Sequence, residues 1–103
     1  MKFKHGIKIA GLQPELLFGL MVANHIIAYE FNCDMVVTSC TDGTHCAGSK
    51  HYVGKAVDIR TYNLSNPTAV LNRLKFELDG LFDVVMESDH IHLEYDDHGP
   101  KTV

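Results

Sequence analysis

Twice in its second half the chain sets ionisable side chains at alternate positions between aliphatic ones, in Ala56-Val57-Asp58-Ile59-Arg60 and in His90-Ile91-His92-Leu93. A period of two is the mark of a strand with one face on a core and the other turned away from it. It predicts Val57, Ile59, Ile91 and Leu93 on the packed face. Ala56, Asp58 and Arg60 then share the opposite face of one strand, and both imidazoles share a face of the other. A carboxylate in such a half-buried run needs a cation or several donors as partner. At 103 residues the chain can bury one modest core, so both strands are expected in one small sheet.

The rest of the chain supplies the layer that covers this sheet. Leu12 to Phe31 reads as a helix, with Pro14 suited to its first turn and Glu15 to the positive end of its dipole. Leu17, Leu20, Met21, Asn24, Ile27, Ala28 and Phe31 recur at helical spacing and are expected to face the core. His25 lies one position off that stripe and reads as an ordinary surface or packed side chain. Asp34 to Ser39 reads as a strand, Cys40 to Lys50 as a loop, and Gly54 as the turn into the strand ending at Arg60. Asn66 and Pro67 open a second helix with Val70, Leu71, Leu74 and Leu78 on its apolar side, and Gly80 closes it. Leu81–Glu87 and His90–Tyr95 read as strands joined by a very short turn near Ser88 and Asp89. The expectation is a single α+β domain over residues 1–103, with an antiparallel sheet and two main helices. The segment from Tyr95 through Asp97 and His98 to Pro100 reads as a frayed polar tail rather than a second metal site.

Composition removes several classes of function. Hydrophobic residues make up 46% and charged residues 21%, outside the range of disordered tails and membrane proteins. The formal charge is −4 and the nine Lys and Arg are scattered, which argues against a nucleic-acid partner. The longest apolar stretch, Leu16 to Tyr29, is broken by Asn24 and His25 and falls short of the roughly 20 residues that span a bilayer. It follows Pro14 and Glu15 rather than a cationic segment, so no secretion signal or membrane span is expected. The chain is then expected in the cytoplasm when made, and as a monomer. Cys33, Cys40 and Cys46 form no CxxC pair, so a cysteine-based zinc site has little support. Free thiols are expected rather than a Cys40–Cys46 loop, since one cysteine of the three is left over in any case.

Histidine is the unusual component, with seven residues, five of them after residue 44. A divalent metal would organise them. Catalytic zinc takes three ligands from His, Asp or Glu and keeps a fourth position for water. His51, Asp58 and one of His90 or His92 supply such a set. Glu87 and Asp89 lie close enough along the chain to accept a proton from the water, the general-base role in metal-assisted hydrolysis. Gly54 allows a tight reversal between two ligands, and Ala56 leaves room beside the metal. Arg60 and Lys55 are the nearest cations in sequence and candidates to hold a substrate carboxylate.

Ser49, His51, Gly54, Ala56 and Asp58 form an SxHxxGxAxD pattern. It resembles that of zinc peptidases of the D-alanyl-D-alanine carboxypeptidase and phage L-alanyl-D-glutamate endopeptidase family, to which the hedgehog signalling domain is related. Asp89 and His92 resemble that family's closing strand, where an acid precedes the last histidine ligand by three residues. The resemblance runs from about Val36 to Tyr95. It implies a peptidase-like α+β fold, Zn2+ held by His51, Asp58 and His92, Asp89 as base, and Ser49 beside the first ligand. Hedgehog-like members place a glutamate further from the last histidine, and Glu87 is its possible counterpart. His45 matches in spacing a histidine near the zinc of those members and is assigned to the oxyanion or substrate, with His90 as a neighbour able to bond the substrate. Many bacterial members carry an arginine after the strand equivalent to Val36–Ser39; this chain has Cys40-Thr41-Asp42 there. The activity implied is hydrolysis of a peptide bond in the stem peptide of bacterial peptidoglycan by an endolysin-like or carboxypeptidase-type enzyme that reaches the cell wall after release. The alternative is a hedgehog-like zinc-binding module without peptidase activity.

Overall fold

The ladder between β3 (Ala56–Arg60) and β5 (His90–Tyr95) fixes the geometry of everything around it. The two strands run antiparallel with Asp58 opposite His92 and Arg60 opposite His90. Strand β4 (Phe82–Glu87) joins β5 through a two-residue turn at Ser88-Asp89, with Glu87 opposite His90 and Asp83 opposite Glu94. On the other side β3 pairs antiparallel with β2 (Val36–Ser39), with a register shift between Val37 and Ser39. These elements are drawn from a computed structural model that describes residues 1–41 and 50–96.

The sheet order is β1-β2-β3-β5-β4, and β1 (Lys2–Phe3) pairs with β2 in parallel. The sheet is therefore mixed, where an antiparallel one was expected. The departure comes from a two-residue strand too short to carry an alternation pattern. Its backbone nevertheless ties the N-terminal segment down. Lys2 and Lys4 donate to the carbonyls of Met35 and Val37, both at 2.8 Å, and Thr41 bonds back to Lys8 and Ala10. Gln13 then donates to the Gly54 carbonyl at 2.9 Å. That turn needs its glycine. Gly54 has φ +72°, and a Cβ there would strike the Gly11 carbonyl.

Alternation sorts the sheet into two faces, as the sequence predicts. Val57, Ile59, Ile91, Leu93 and Val84 are buried on one face with the helices over them. Asp58, Arg60, His90, His92, Glu87 and Glu94 project from the other. Helix α2 (Pro67–Glu77) starts where expected. The Asn66 side chain accepts from the Ala69 N–H at 3.1 Å, Pro67 occupies the first turn, and Val70, Leu74 and Leu78 are buried.

Helix α1 (Pro14–His25) continues as a wider π-helical turn over Ile26–Glu30, which lets the consecutive Ile26 and Ile27 both reach the core. Its buried face keeps the expected Leu20 and Ile27 but otherwise departs from the expected stripe. Leu16, Gly19, Leu20 and Ala23 pack inward, while Leu17 and Met21 are 44% and 67% exposed. The expected stripe is rotated by about one residue, some 100°. Nearly every position from Leu16 to Val22 is apolar, so the pattern leaves the rotation open. Close approach decides it: Gly19 faces the Phe82 ring, where any Cβ would collide. His25 is exposed and stacks on Tyr29, with ring centroids 4.8 Å apart.

With a radius of gyration of 13.0 Å the chain forms a compact unit for its length. Among the described residues no helix is long and apolar enough to cross a membrane. The rotation of α1 has a direct test. Leu20→Ala should cost about 2–5 kcal/mol of unfolding free energy, and Met21→Ala about 0.5 kcal/mol or less, by urea denaturation. Equal costs would place the expected stripe back on the core.

Candidate metal centre

The β3–β5–β4 register builds the site by rows. One cross-strand row on the open face carries Asp58 and His92, and the next carries Arg60, His90 and Glu87. A short 3-10 turn, Lys50–Val53, brings His51 over the first row. His51 Nε2 lies 3.2 Å from Asp58 Oδ1 and 3.3 Å from His92 Nδ1, and His92 Nδ1 lies 3.1 Å from Asp58 Oδ1. One ligand atom from each of the three falls within 4.8 Å of the others, a group able to hold a metal ion. His51 is 2% and Asp58 8% exposed, so the donors are shielded from water before any ion enters.

What fits this set to a metal is the fate of the outward nitrogens. His51 Nδ1 lies 2.7 Å from the Cys40 carbonyl and must donate to it, which turns Nε2 toward Asp58. His92 Nε2 lies 3.1 Å from Glu94 Oε1, which leaves Nδ1 facing inward. Outer partners of this kind fix ring orientation and tautomer in metal-binding histidines. Sequence reasoning assigned no role to Glu94 or the Cys40 carbonyl. The first was readable, since Glu94 follows His92 at strand period. The second is a backbone group and leaves no mark in sequence.

The acids expected to serve as base are separated by the hairpin. Glu87 ends β4 with Oε1 3.3 Å from His90 Nε2 and 3.8 Å from His92 Nδ1. With Asp58 and His90 it forms a second group of potential ligand atoms on the same face. Asp89 sits in the turn, its side chain 81% exposed, and its Oδ1 meets His90 Nδ1 at 2.8 Å. The sheet thus brings Glu87 and His90 to the cluster and leaves Asp89 one side chain removed, behind His90. His45 and Ser49, along with Cys46 and His98, lie outside the described residues. Lys55 lies between the Gly54 turn and β3, where its carbonyl accepts from the Tyr95 N–H at 2.7 Å.

Charge follows from this arrangement. Burial alone would raise the Asp58 pKa, but hydrogen bonds to His51 and His92 outweigh it and hold the carboxyl well below its usual range. The bond to Asp58, opposed by burial and reinforced by Glu94, lifts His92 to about 9. Burial also works against charge on His90, and Asp89, Asp58 and Glu87 together overcome it, so that pKa is raised too. Its bond to His90 lowers Asp89.

The chain matches no protein-family model, no curated protein and no solved structure.

In the metal-free protein a proton on His92 does part of the work a cation would do. A pKa raised above the unfolded value contributes stability that is full below about pH 6.5 and lost as pH climbs through 9. Thermal denaturation with chelator present should therefore show a falling midpoint across that window. A divalent metal ion held by the group should remove the fall, because it would replace the proton. A metal-free midpoint that rises from pH 6.5 to 9 would contradict the assignment of His92.

Proposed function

We propose that this chain is a zinc-dependent peptidase acting on the stem peptide of bacterial peptidoglycan. The observation that carries the reading is the pairing of each inward-facing imidazole with an outer acceptor, Cys40 carbonyl for His51 and Glu94 for His92, around the Asp58 carboxylate. Structural ion pairs do not require both rings to be tethered from behind. Two imidazoles and one carboxylate leave a fourth position open, the donor set of hydrolytic rather than structural zinc. The motif resemblance to the carboxypeptidase and endopeptidase family, with its α+β architecture, supplies the substrate class.

Zinc, when bound by His51, Asp58 and His92, would polarise the scissile carbonyl and make a water acidic enough to be deprotonated at neutral pH. Glu87, beside both His90 and His92, is the group we assign to take the water proton and return one to the leaving amine. His90 directs Nε2 toward the same space and, when protonated, donates to the carbonyl oxygen as negative charge develops there. Asp89 accepts from His90 Nδ1, keeping that ring oriented and favouring its charged form. Asp89 is in this account a positioning residue, and its exposure suits that part better than the role of base.

A second reading, a zinc-binding module without hydrolytic activity, is favoured by Cys40-Thr41-Asp42 standing where many bacterial family members carry an arginine. Turnover separates the two. Wild-type protein loaded with zinc should release new amino termini from purified peptidoglycan, and mass spectrometry of a defined muropeptide should identify the bond. Glu87→Gln should lower the rate by about 10²–10⁴-fold with zinc retained. Asp89→Asn should lower it by about tenfold or less, the size expected for losing one orienting hydrogen bond. His92→Ala should lose the metal. Stoichiometric zinc with no released amino termini would establish the binding module instead.

A further inference from the structure

The open face of the sheet carries a second feature one row beyond the metal cluster. A cleft of about 460 Å³ is lined by Lys4, Thr38, Arg60, Tyr62 and Asp89. Four separate parts of the fold converge on it: the end of the N-terminal strand, the middle of β2, the end of β3 and the β4–β5 turn. Lys4 is held there by its backbone, which donates to the Val37 carbonyl at 2.8 Å. The Arg60 guanidinium lies over the Tyr62 ring, its Cζ 4.7 Å from the centroid. A cation–π contact of this kind holds the charged group against the ring.

The charges in this cleft are unspent. Among the described residues Lys2 pairs with Asp34 and Arg73 with Glu30 and Glu77, whereas Lys4 and Arg60 form no ion pair. The one acid in the lining, Asp89, already accepts from His90 Nδ1 at 2.8 Å. Two cations, one with a planar donor fork, therefore face a polar cleft whose acid is engaged elsewhere. The matching ligand is a carboxylate, which an arginine fork can grip through two parallel hydrogen bonds.

Position says which carboxylate. Arg60 stands opposite His90, and Asp58 stands opposite His92. Two positions along a strand cover about 7 Å, close to the reach of two extended peptide residues. A peptide with its scissile carbonyl at the metal cluster can thus set a carboxylate from an adjacent or next residue between Lys4 and Arg60. We propose that Lys4 and Arg60 form a carboxylate subsite that selects peptides bearing a free carboxylate within two residues of the scissile amide. The assignment rests on the peptidase reading for the words "scissile amide", while the anion site itself rests on the cleft.

The experiment has two arms. In the first, the zinc-loaded protein is titrated with N-acetyl-D-alanine and with N-acetyl-D-alaninamide, followed by amide NMR shifts at Thr38, Arg60 and Tyr62. The acid should bind about tenfold tighter than the amide or more, as charge-assisted bonds are stronger than neutral ones. Arg60→Gln should abolish that preference, and Lys4→Gln, at an exposed position unconnected with the core, should weaken it by about threefold. An acid preference that survives in both variants would mean the carboxylate sits on zinc, and the proposal fails. In the second arm a muropeptide and its carboxamide form are compared, and the acid should show about tenfold higher kcat/KM, through KM, only when Arg60 is present. If neither form is cleaved but Arg60→Gln still abolishes the preference in binding, the peptidase reading falls and the subsite stands. Equal affinity for acid and amide in the wild type removes the subsite.

Discussion

A carboxylate stands in the middle of the central strand pair, and the site is arranged around it. Asp58 is 8% exposed and flanked along β3 by Val57 and Ile59, both fully buried. An ionised carboxyl in that setting is costly unless it is matched by donors or positive charge. The fold supplies three imidazoles within 3.7 Å of one oxygen, from His51, His92 and His90. Two further carboxylates, Glu87 and Glu94, close around the same rings. Three acids around three rings carry more negative charge than neutral imidazoles can balance, so the cluster holds positive charge in one form or another. In the absence of a metal that charge is protons, which is why His90 and His92 are driven toward the protonated form. A divalent cation delivers the same charge as a single ion at the common focus of the inward-facing atoms.

How much of this could be read from the chain follows from which physical rule governs each part. The two strands of alternating residues were legible because a period of two has a single solution once one face is apolar. The pairing of Asp58 with His92 then follows from bringing both strands into one sheet. The Ser88-Asp89 turn was legible for the same reason, and it separates the two candidate acids, of which the motif resemblance favours Asp89: Glu87 is the last residue of β4 and Asp89 the second residue of the turn. Helix α1 was legible as a helix but not in its rotation, because Leu17 and Met21 are as apolar as Leu16 and Leu20. What chose between the faces was Gly19 against Phe82, a contact between residues far apart in sequence. Strand β1 left no pattern, since two residues cannot show a period. Glu94 was in plain view beside His92, and the missing step was to ask what the outward ring nitrogen would bond to.

The ligands differ in how firmly the fold holds them, and this bears on how the centre would respond to metal. Asp58 and His92 sit on paired strands over a packed core face, as do Glu87 and His90 at the end of the same ladder. Their spacing is set by strand geometry and changes only if the sheet does. His51 arrives differently, on a 3-10 turn closed by the Gly54 N–H to His51 carbonyl bond at 3.2 Å and pinned by Gln13 through two bonds to Val53 and Gly54. The N-terminal segment therefore has a share in the centre although it contributes no ligand. Loosening it would free the His51 turn and leave the other two ligands in place. Ordering that one turn is the conformational cost that separates a two-ligand site from a three-ligand one, and the Cys40 carbonyl bond to His51 Nδ1 meets part of it before the ion arrives. A centre built this way gains its affinity from a rigid pair and its closure from a single hinge-like element. Substitutions at Gln13, which bonds both Val53 and Gly54, should then act on metal binding through His51, without touching the strand pairing that holds Asp58 and His92.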